Sequence, residues 1–285
     1  MRSNRSDRRR GVADGGPYYG LLENARGRLG RLASAVFHYP TIGSTNDAAA
    51  ALAETHDAEG IVVVADEQTA GRGRRGHTWF SPAGTGLYVS VVLTPSRAVR
   101  DVPRAIRLLT PAAGVALVEA IDAVAGLAVD LKWPNDVCVA GRKLAGILAE
   151  GVSSGMAVDF VILGYGINLR TGAYPPDLAG RATSLEAELG CQVDRGRLFV
   201  ETLAAIAKRY DDLLAGHFDG ILDAWRRHAP GASGARVRWN EGSGHHVGVT
   251  AGIDQDGALL IRVGERMERI VAGEVQWEID SGSRL

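Results

Sequence analysis

Five short segments of this chain carry the residue types from which a binding and reaction site could be built. The first is Gly71-Arg72-Gly73-Arg74-Arg75-Gly76-His77-Thr78-Trp79. Its glycines let the backbone approach a ligand closely and change shape. Its arginines offer fork-shaped donors suited to carboxylate and phosphate, and Trp79 offers a stacking surface. The same composition would also serve a solvated basic loop or an RNA contact. The order GxxxxGK[ST] of a P-loop is absent. The second segment is Lys132-Trp133-Pro134-Asn135-Asp136. Proline lacks an N–H and holds the residue before it extended, so Lys132, Asn135 and Asp136 sit on a rigid turn. They could meet phosphate, a base or ribose, a metal or an amine, or form a plain charged hairpin.

Gly141-Arg142-Lys143-Leu144-Ala145-Gly146 follows directly and adds a second lysine. Gly164-Tyr165-Gly166-Ile167-Asn168-Leu169 ends an apolar run; spaced glycines expose backbone N–H groups, and Asn168 can donate and accept. Ser44-Thr45-Asn46 precedes an alanine run, where such triplets commonly cap helices.

The elements that must position these segments follow from local patterning. A short helical lead-in is expected within 18–36. Phe37 to Ile42 reads as a strand and Asp47 to Glu54 as a helix. Ile61 to Ala65 is a β-branched run of the kind that forms a buried strand, and Leu87 to Leu93 is another. Arg104 to Val124 has helical apolar spacing. Val129–Trp133, Val137–Val139, Ala145–Glu150 and Phe160–Leu163 are strand candidates. Arg195 to His217 is a long amphipathic helix with Leu198, Leu203, Ile206, Tyr210, Leu213 and Leu214 on its core face. Ala229 to Gly234 reads as a linker. Short strands follow at Arg236–Trp239, Val247–Ile253, Ala258–Val263, Arg269–Ala272 and Val275–Ile279, with Asp256-Gly257 as a hairpin-type turn.

Composition narrows the function classes. The 285 residues are 46% hydrophobic and 23% charged, with 32 basic against 33 acidic side chains and a formal net charge of -1. A near-neutral chain makes no global electrostatic case for nucleic acid or membrane. No apolar run approaches the roughly 20 residues that span a bilayer. The first 16 residues are basic but lack the apolar stretch of a secretory signal. The two cysteines, Cys138 and Cys191, form no CxxC pair, which fits a reducing, cytoplasmic compartment.

Taken in order, GSTND, QTAGRGRRGHTWFSP, KWPNDV, GRKLAGILAE and GYGINL resemble the biotin protein ligases, the biotin–[acetyl-CoA-carboxylase] ligases, over about residues 36 to 280. The resemblance implies an α/β (α+β) fold: a catalytic domain like that of class II aminoacyl-tRNA synthetases over 36–228, and a linker and small SH3-like β-barrel over 229–285. A basic tail and lead-in would occupy 1–35. It implies that biotin and ATP form biotinyl-5′-AMP, with Mg²⁺ held by the ATP phosphates rather than by a dedicated protein site. Biotin then passes to one lysine of a biotin carboxyl carrier protein.

The resemblance also implies roles. Ser44, Thr45 and Gln68 match positions that bind the biotin ring head, and the biotin set takes in Asn46, Gly71, Arg72, Lys143, Gly164 and Gly166. Arg72, Arg74, Arg75, Trp79, Lys132, Asn135, Lys143 and Asn168 match the ATP and adenylate side. Lys143, Arg72, Lys132 and Asp136 are the expected catalytic set. The chemistry asks for such cations, because a carboxylate must attack a polyanion. His77 stands where many members have a basic residue. Too few residues precede the core, and too polar, for the helix-turn-helix of regulatory members, so no DNA partner is expected; monomer and homodimer both stay open. A lipoate ligase, a biotin sensor without transfer and an RNA-binding protein are the rival readings.

Overall fold

The computed structural model describes residues 17–54, 58–153, 158–172, 174–176, 178–241 and 244–278. The basic tail over 1–16 and Ile279, read as a strand end, lie outside them. Among the described residues, twelve strands form two sheets. The first seven are β1 (Ala35–Tyr39), β2 (Ile61–Ala65), β3 (Gly86–Leu93), β4 (Asp130–Lys132), β5 (Asp136–Val139), β6 (Arg142–Val152) and β7 (Phe160–Asn168). They make one sheet in the order β1-β2-β3-β7-β6-β5-β4. Only β1 and β2 run parallel; the other neighbours are antiparallel.

Strand alternation sorts residues onto two faces. Leu87, Val89, Val91 and Leu93 of β3, with Val161, Leu163, Tyr165 and Ile167 of β7, enter the main core. Two long helices cover that face: α4 (Leu109–Ala125) and α6 (Arg195–Ala215). The core face expected of α6 is fully realised, since Leu198, Leu203, Ile206, Tyr210, Leu213 and Leu214 are all buried. Asp194 caps α6 by accepting from the Arg197 N–H, and left-handed Gly216 (φ 74°) ends it. On the opposite face α2 (Thr45–Ala53) packs Ala49 and Ala53 on Ile61, Val63, Val92 and Ile162.

Several boundaries differ from the sequence reading, each for a local reason. β1 ends at Tyr39, because Pro40 cannot donate to a ladder; Ile42 meets Gln68 only through an isolated bridge. The helix expected over 104–124 is two helices, α3 (Val102–Arg107) and α4. Pro111, in the first turn of α4, lacks an N–H and would clash with the Arg107 carbonyl in one continuous helix. β7 runs through Gly164 and Gly166 to Asn168 instead of ending at Leu163. Two further helices, α5 (Leu185–Leu189) and α7 (Phe218–Arg227), were not anticipated; α1 (Tyr19–Ala25) is the lead-in.

The last five strands are β8 (Ser233–Glu241), β9 (Gly244–Ile253), β10 (Leu259–Val263), β11 (Arg266–Ile270) and β12 (Val275–Trp277). They form the small C-terminal sheet, antiparallel throughout, in the order β11-β10-β9-β8-β12. Residues 230–232 make a single tight helical turn, with Ala229 and Ala232 buried. The small sheet is docked on the large one: Trp133 Nε1 donates to the Gly257 carbonyl at 3.0 Å, and Lys132 Nζ lies over the Trp277 ring. Val237, Trp239, Ile253, Leu259 and Ile261 join the same buried cluster as α4 and α6.

A shared core predicts shared unfolding. Leu203→Ala, deep under the large sheet, is expected to cost about 2–5 kcal/mol. It should lower the melting of both sheets together, in one calorimetric transition whose enthalpy agrees with the van't Hoff value. Two separable transitions, only one of them moved by the mutation, would refute the shared core.

Candidate functional site

The face of the large sheet not covered by α4 and α6 carries α2 at one side and a strip of glycines beside it. Register places Ser90 opposite Gly164 and Tyr88 opposite Gly166. On the other side of β7, Gly146 lies opposite Gly166 and Leu148 opposite Gly164. Glycines on one face of neighbouring strands leave a floor without side chains. Other groups pass over it closely: a Cβ on Gly164 would overlap the Asn46 amide, and one on Gly166 the Trp79 indole. Gly146 is less tightly covered, with Trp79 Cζ3 at 3.0 Å from where its Cβ would be. Trp79 Nε1 is buried there and has no hydrogen-bond partner among the described residues.

One wall of this floor is a polar network begun by Ser44-Thr45-Asn46. All three are buried. Ser44 occupies the helix N-cap position with extended backbone, but its side chain makes no capping bond. Gln68 Oε1 accepts from the Thr45 N–H at 2.9 Å and from its hydroxyl at 3.0 Å, while Gln68 Nε2 donates to Ser81 Oγ at 3.0 Å. Ser90 Oγ lies 2.8 Å from Thr45 Oγ1 and 2.5 Å from Asn46 Oδ1, and can donate to either. Asn46 Nδ2 donates to Glu150 Oε2 at 2.5 Å.

The loop over 71–79 folds back on itself above the floor. Arg72 bridges to Thr78, the Gly73 N–H donates to His77 O at 2.6 Å, and the Trp79 N–H to Gly71 O at 2.9 Å. Gly71 has no room for a side chain, since its Cβ would fall 2.6 Å from both Ser81 Oγ and Trp79 O. Arg75 at the tip is left-handed (φ 56°), a conformation that costs a non-glycine residue about 1–2 kcal/mol. Arg75 and His77 are exposed, whereas Arg72 and Arg74 turn inward. Arg72 ion-pairs with Asp47 at 2.7 Å and Glu150 at 3.1 Å. The bond from Asp47, then that from Glu150, outweighs partial burial and raises its pKa, so its charge is fixed. Arg74 goes the other way: burial, then the neighbouring Arg75, lowers its pKa against the pull of Asp136.

The opposite wall comes from the β4–β5–β6 hairpins. Lys143 Nζ sits 2.6 Å from Asp136 Oδ1 and 5.3 Å from the Trp79 ring centroid. Buried Cys138 lies beneath this pair, its thiol pushed up to about 11 mainly by burial. Trp133-Pro134 is a cis peptide in the connecting turn. Asn135 and Asn168 turn their amides to backbone: Asn135 Nδ2 donates to Ile147 O at 2.8 Å, and Asn168 Nδ2 to Thr183 O at 2.9 Å. Lys132 pairs with Asp136 across the β4–β5 hairpin and meets the small sheet, its Nζ 5.0 Å from the Trp277 ring centroid. No cluster of three His, Cys, Asp or Glu side chains able to hold a metal occurs among the described residues.

The structure therefore brings Ser44, Thr45, Asn46, Gln68, Gly71, Arg72, Arg74, Trp79, Asp136, Lys143, Gly164 and Gly166 around one floor. Residues that sequence reasoning did not assign complete it: Asp47, Ser81, Ser90 and Glu150. Two signals were available. Glu150 is in phase with Gly146 along β6, and Ser90 is the one hydroxyl in an otherwise apolar stretch, Val89 to Leu93. An anion laid along the floor would meet Arg72 and Lys143, with polar recognition at the Thr45–Gln68 end.

Comparison with known proteins places both parts of the chain. Residues 39–168 match the biotin/lipoate A/B protein ligase family, and residues 232–277 match the biotin protein ligase C terminal domain. The chain is 38% identical over 240 residues to the biotin–[acetyl-CoA-carboxylase] ligase of Mycobacterium tuberculosis, covering 82% of this chain and 85% of that protein. It is 36% identical over 243 residues to the bifunctional ligase/repressor BirA of Bacillus spizizenii, covering 85% and 73%. Among solved structures, the biotin protein ligase of Aquifex aeolicus in complex with biotin and ATP superposes with a TM-score of 0.73 at 28% identity, covering 87% of this chain and all of that one. With both parts matched and relatives at 36–38% identity over more than four fifths of its length, this chain belongs to the biotin protein ligase family.

Proposed function

We propose that the chain is an ATP-dependent biotin protein ligase. The observation that carries this reading is a strip of three glycines, Gly146, Gly164 and Gly166, closely covered by Asn46 and Trp79, with Arg72 and Lys143 beside it. A flat fused-ring head with a carboxylate tail suits that shape. The Thr45, Gln68 and Ser90 groups face the polar head, and the cations face the tail. In the first half-reaction the biotin carboxylate oxygen attacks the α-phosphorus of ATP. The bond to the β-phosphate bridging oxygen breaks and pyrophosphate leaves. Arg72 and Lys143 offset repulsion between the anions and the charge that develops. In the second, a neutral lysine amine attacks the acyl carbon, and AMP departs with the bonding pair.

The acceptor in this reading is a lysine of a biotin carboxyl carrier protein, and the setting is the cytoplasm, where free Cys138 and Cys191 stay reduced. Mg²⁺ carried by the ATP phosphates, rather than by a dedicated protein site, would supply screening of their charge. Residues 36–228 make the biotin and ATP unit, and 229–285 the C-terminal unit. The direct test is pyrophosphate release with ATP and either biotin or lipoate, followed by the mass shift of a carrier protein. Release with biotin alone supports the assignment; release with lipoate alone overturns it.

Two variants test the roles. Lys143→Ala is expected to lose about 3 kcal/mol of barrier stabilisation, the scale of one preorganised donor, and so to slow ATP–pyrophosphate exchange by roughly 10²–10³-fold with the fold intact. Near-parental exchange would remove Lys143 from the mechanism. Arg74→Gly is expected to release biotinyl-5′-AMP early, because a loop with one more glycine and one fewer cation holds an anion less firmly. Dissociation of the adenylate and labelling of a bystander protein are the readouts; parental values for both would make Arg74 a bystander itself.

A further inference from the structure

Glu150 takes no part in the reaction just described, yet it touches both ends of the site. It grips Arg72 with both oxygens: Arg72 Nε donates to Oε1 at 3.3 Å and Nη2 to Oε2 at 3.1 Å. The same Oε2 accepts from Asn46 Nδ2 at 2.5 Å. An ionised carboxylate only accepts, so it fixes the orientation of the Asn46 amide: Nδ2 must face Glu150, which leaves Oδ1 facing Ser90 and lying over Gly164. Arg72 has a second carboxylate, Asp47, closer at 2.7 Å, but Glu150 holds Arg72 and Asn46 at once. The carboxylate on β6 thus joins the first turn of α2 to the 71–79 loop across the sheet.

We propose that Glu150 is a positioning residue that sets Arg72 at the anion end and Asn46 at the head end of one bound ligand. The inference rests on the biotin ligase reading for the ligand's identity. It has a rival with the opposite sign. A carboxylate beside an anion site repels the anion and occupies the arginine that should bind it. If that were its net effect, removing the charge would tighten binding. If Glu150 positions, removing it weakens binding, because Arg72 and Asn46 lose their fixed geometry.

The experiment uses the full chain and its Glu150→Gln and Glu150→Ala variants. KM and kcat for biotin are read from pyrophosphate release, and melting temperature is recorded alongside. Without ligand, trypsin cleavage after Arg72, Arg74 and Arg75 is timed by mass spectrometry. Glu150→Ala is expected to raise KM for biotin about tenfold, which corresponds to ~1.4 kcal/mol, and to speed loop cleavage by a similar factor. Glu150→Gln should fall between, since an amide oxygen still accepts from Asn46; it also serves if the alanine variant fails to fold. A KM that falls or stays level, or loop cleavage at the parental rate, overturns the proposal. If the parent releases no pyrophosphate with biotin, the ligase reading fails by itself, and the order of trypsin cleavage still decides whether Glu150 holds the loop.

Discussion

Register between β3, β7 and β6 is the constraint on which the site depends. Ser90 faces Gly164, and Gly166 faces Gly146, because the three strands pair without a slip along this stretch. A shift of one residue would turn every side chain to the other face. Val89, Leu163 and Ile147 would then stand where the floor is, and the glycines would leave voids against α4 and α6. The apolar core on one face therefore enforces the bare floor on the other. Stability and site geometry share one cause, the alternation of large and small residues along neighbouring strands.

Charge is handled by the same economy. In the absence of ligand each inward cation has a carboxylate beside it: Lys143 has Asp136, and Arg72 has Asp47 and Glu150. Such pairs keep long side chains in place at a half-exposed site where lone cations would wander. They also make binding an exchange, since an entering anion takes over part of an interaction already present. Arg74 is different. Its burial and the neighbouring Arg75 work against its charge, with Asp136 pulling the other way.

Much of this was legible in the sequence because the relevant signals are local. β-branched runs marked β2 and β3, 3.6-residue spacing marked α6, and the glycine-arginine loop announced its chemistry. The misses have physical reasons. Pro111 divides a helix whose apolar spacing continues across the break, so periodicity alone joins α3 to α4. Gly164 and Gly166 look like the end of a strand, yet they continue it, because they accommodate Asn46 and Trp79 passing overhead. Glu150 and Ser90 make their contacts with residues more than 40 positions away, and no local pattern encodes that. Lys132 stands opposite Asp136 in the β4–β5 register, as the short turn between them requires; its approach to the Trp277 ring has no local signal.

The two cysteines give the chain a practical asymmetry. Cys138 is sealed beneath Lys143 and its thiol is pushed up to about 11, so at neutral pH almost none of it is the nucleophilic thiolate. Cys191 is exposed, one residue beyond the left-handed Gly190 that closes α5. A maleimide dye should therefore attach at a single native position, on the rim between α5 and α6, without any engineered cysteine. Fluorescence anisotropy or energy transfer from that point would follow carrier docking on an unmodified sequence.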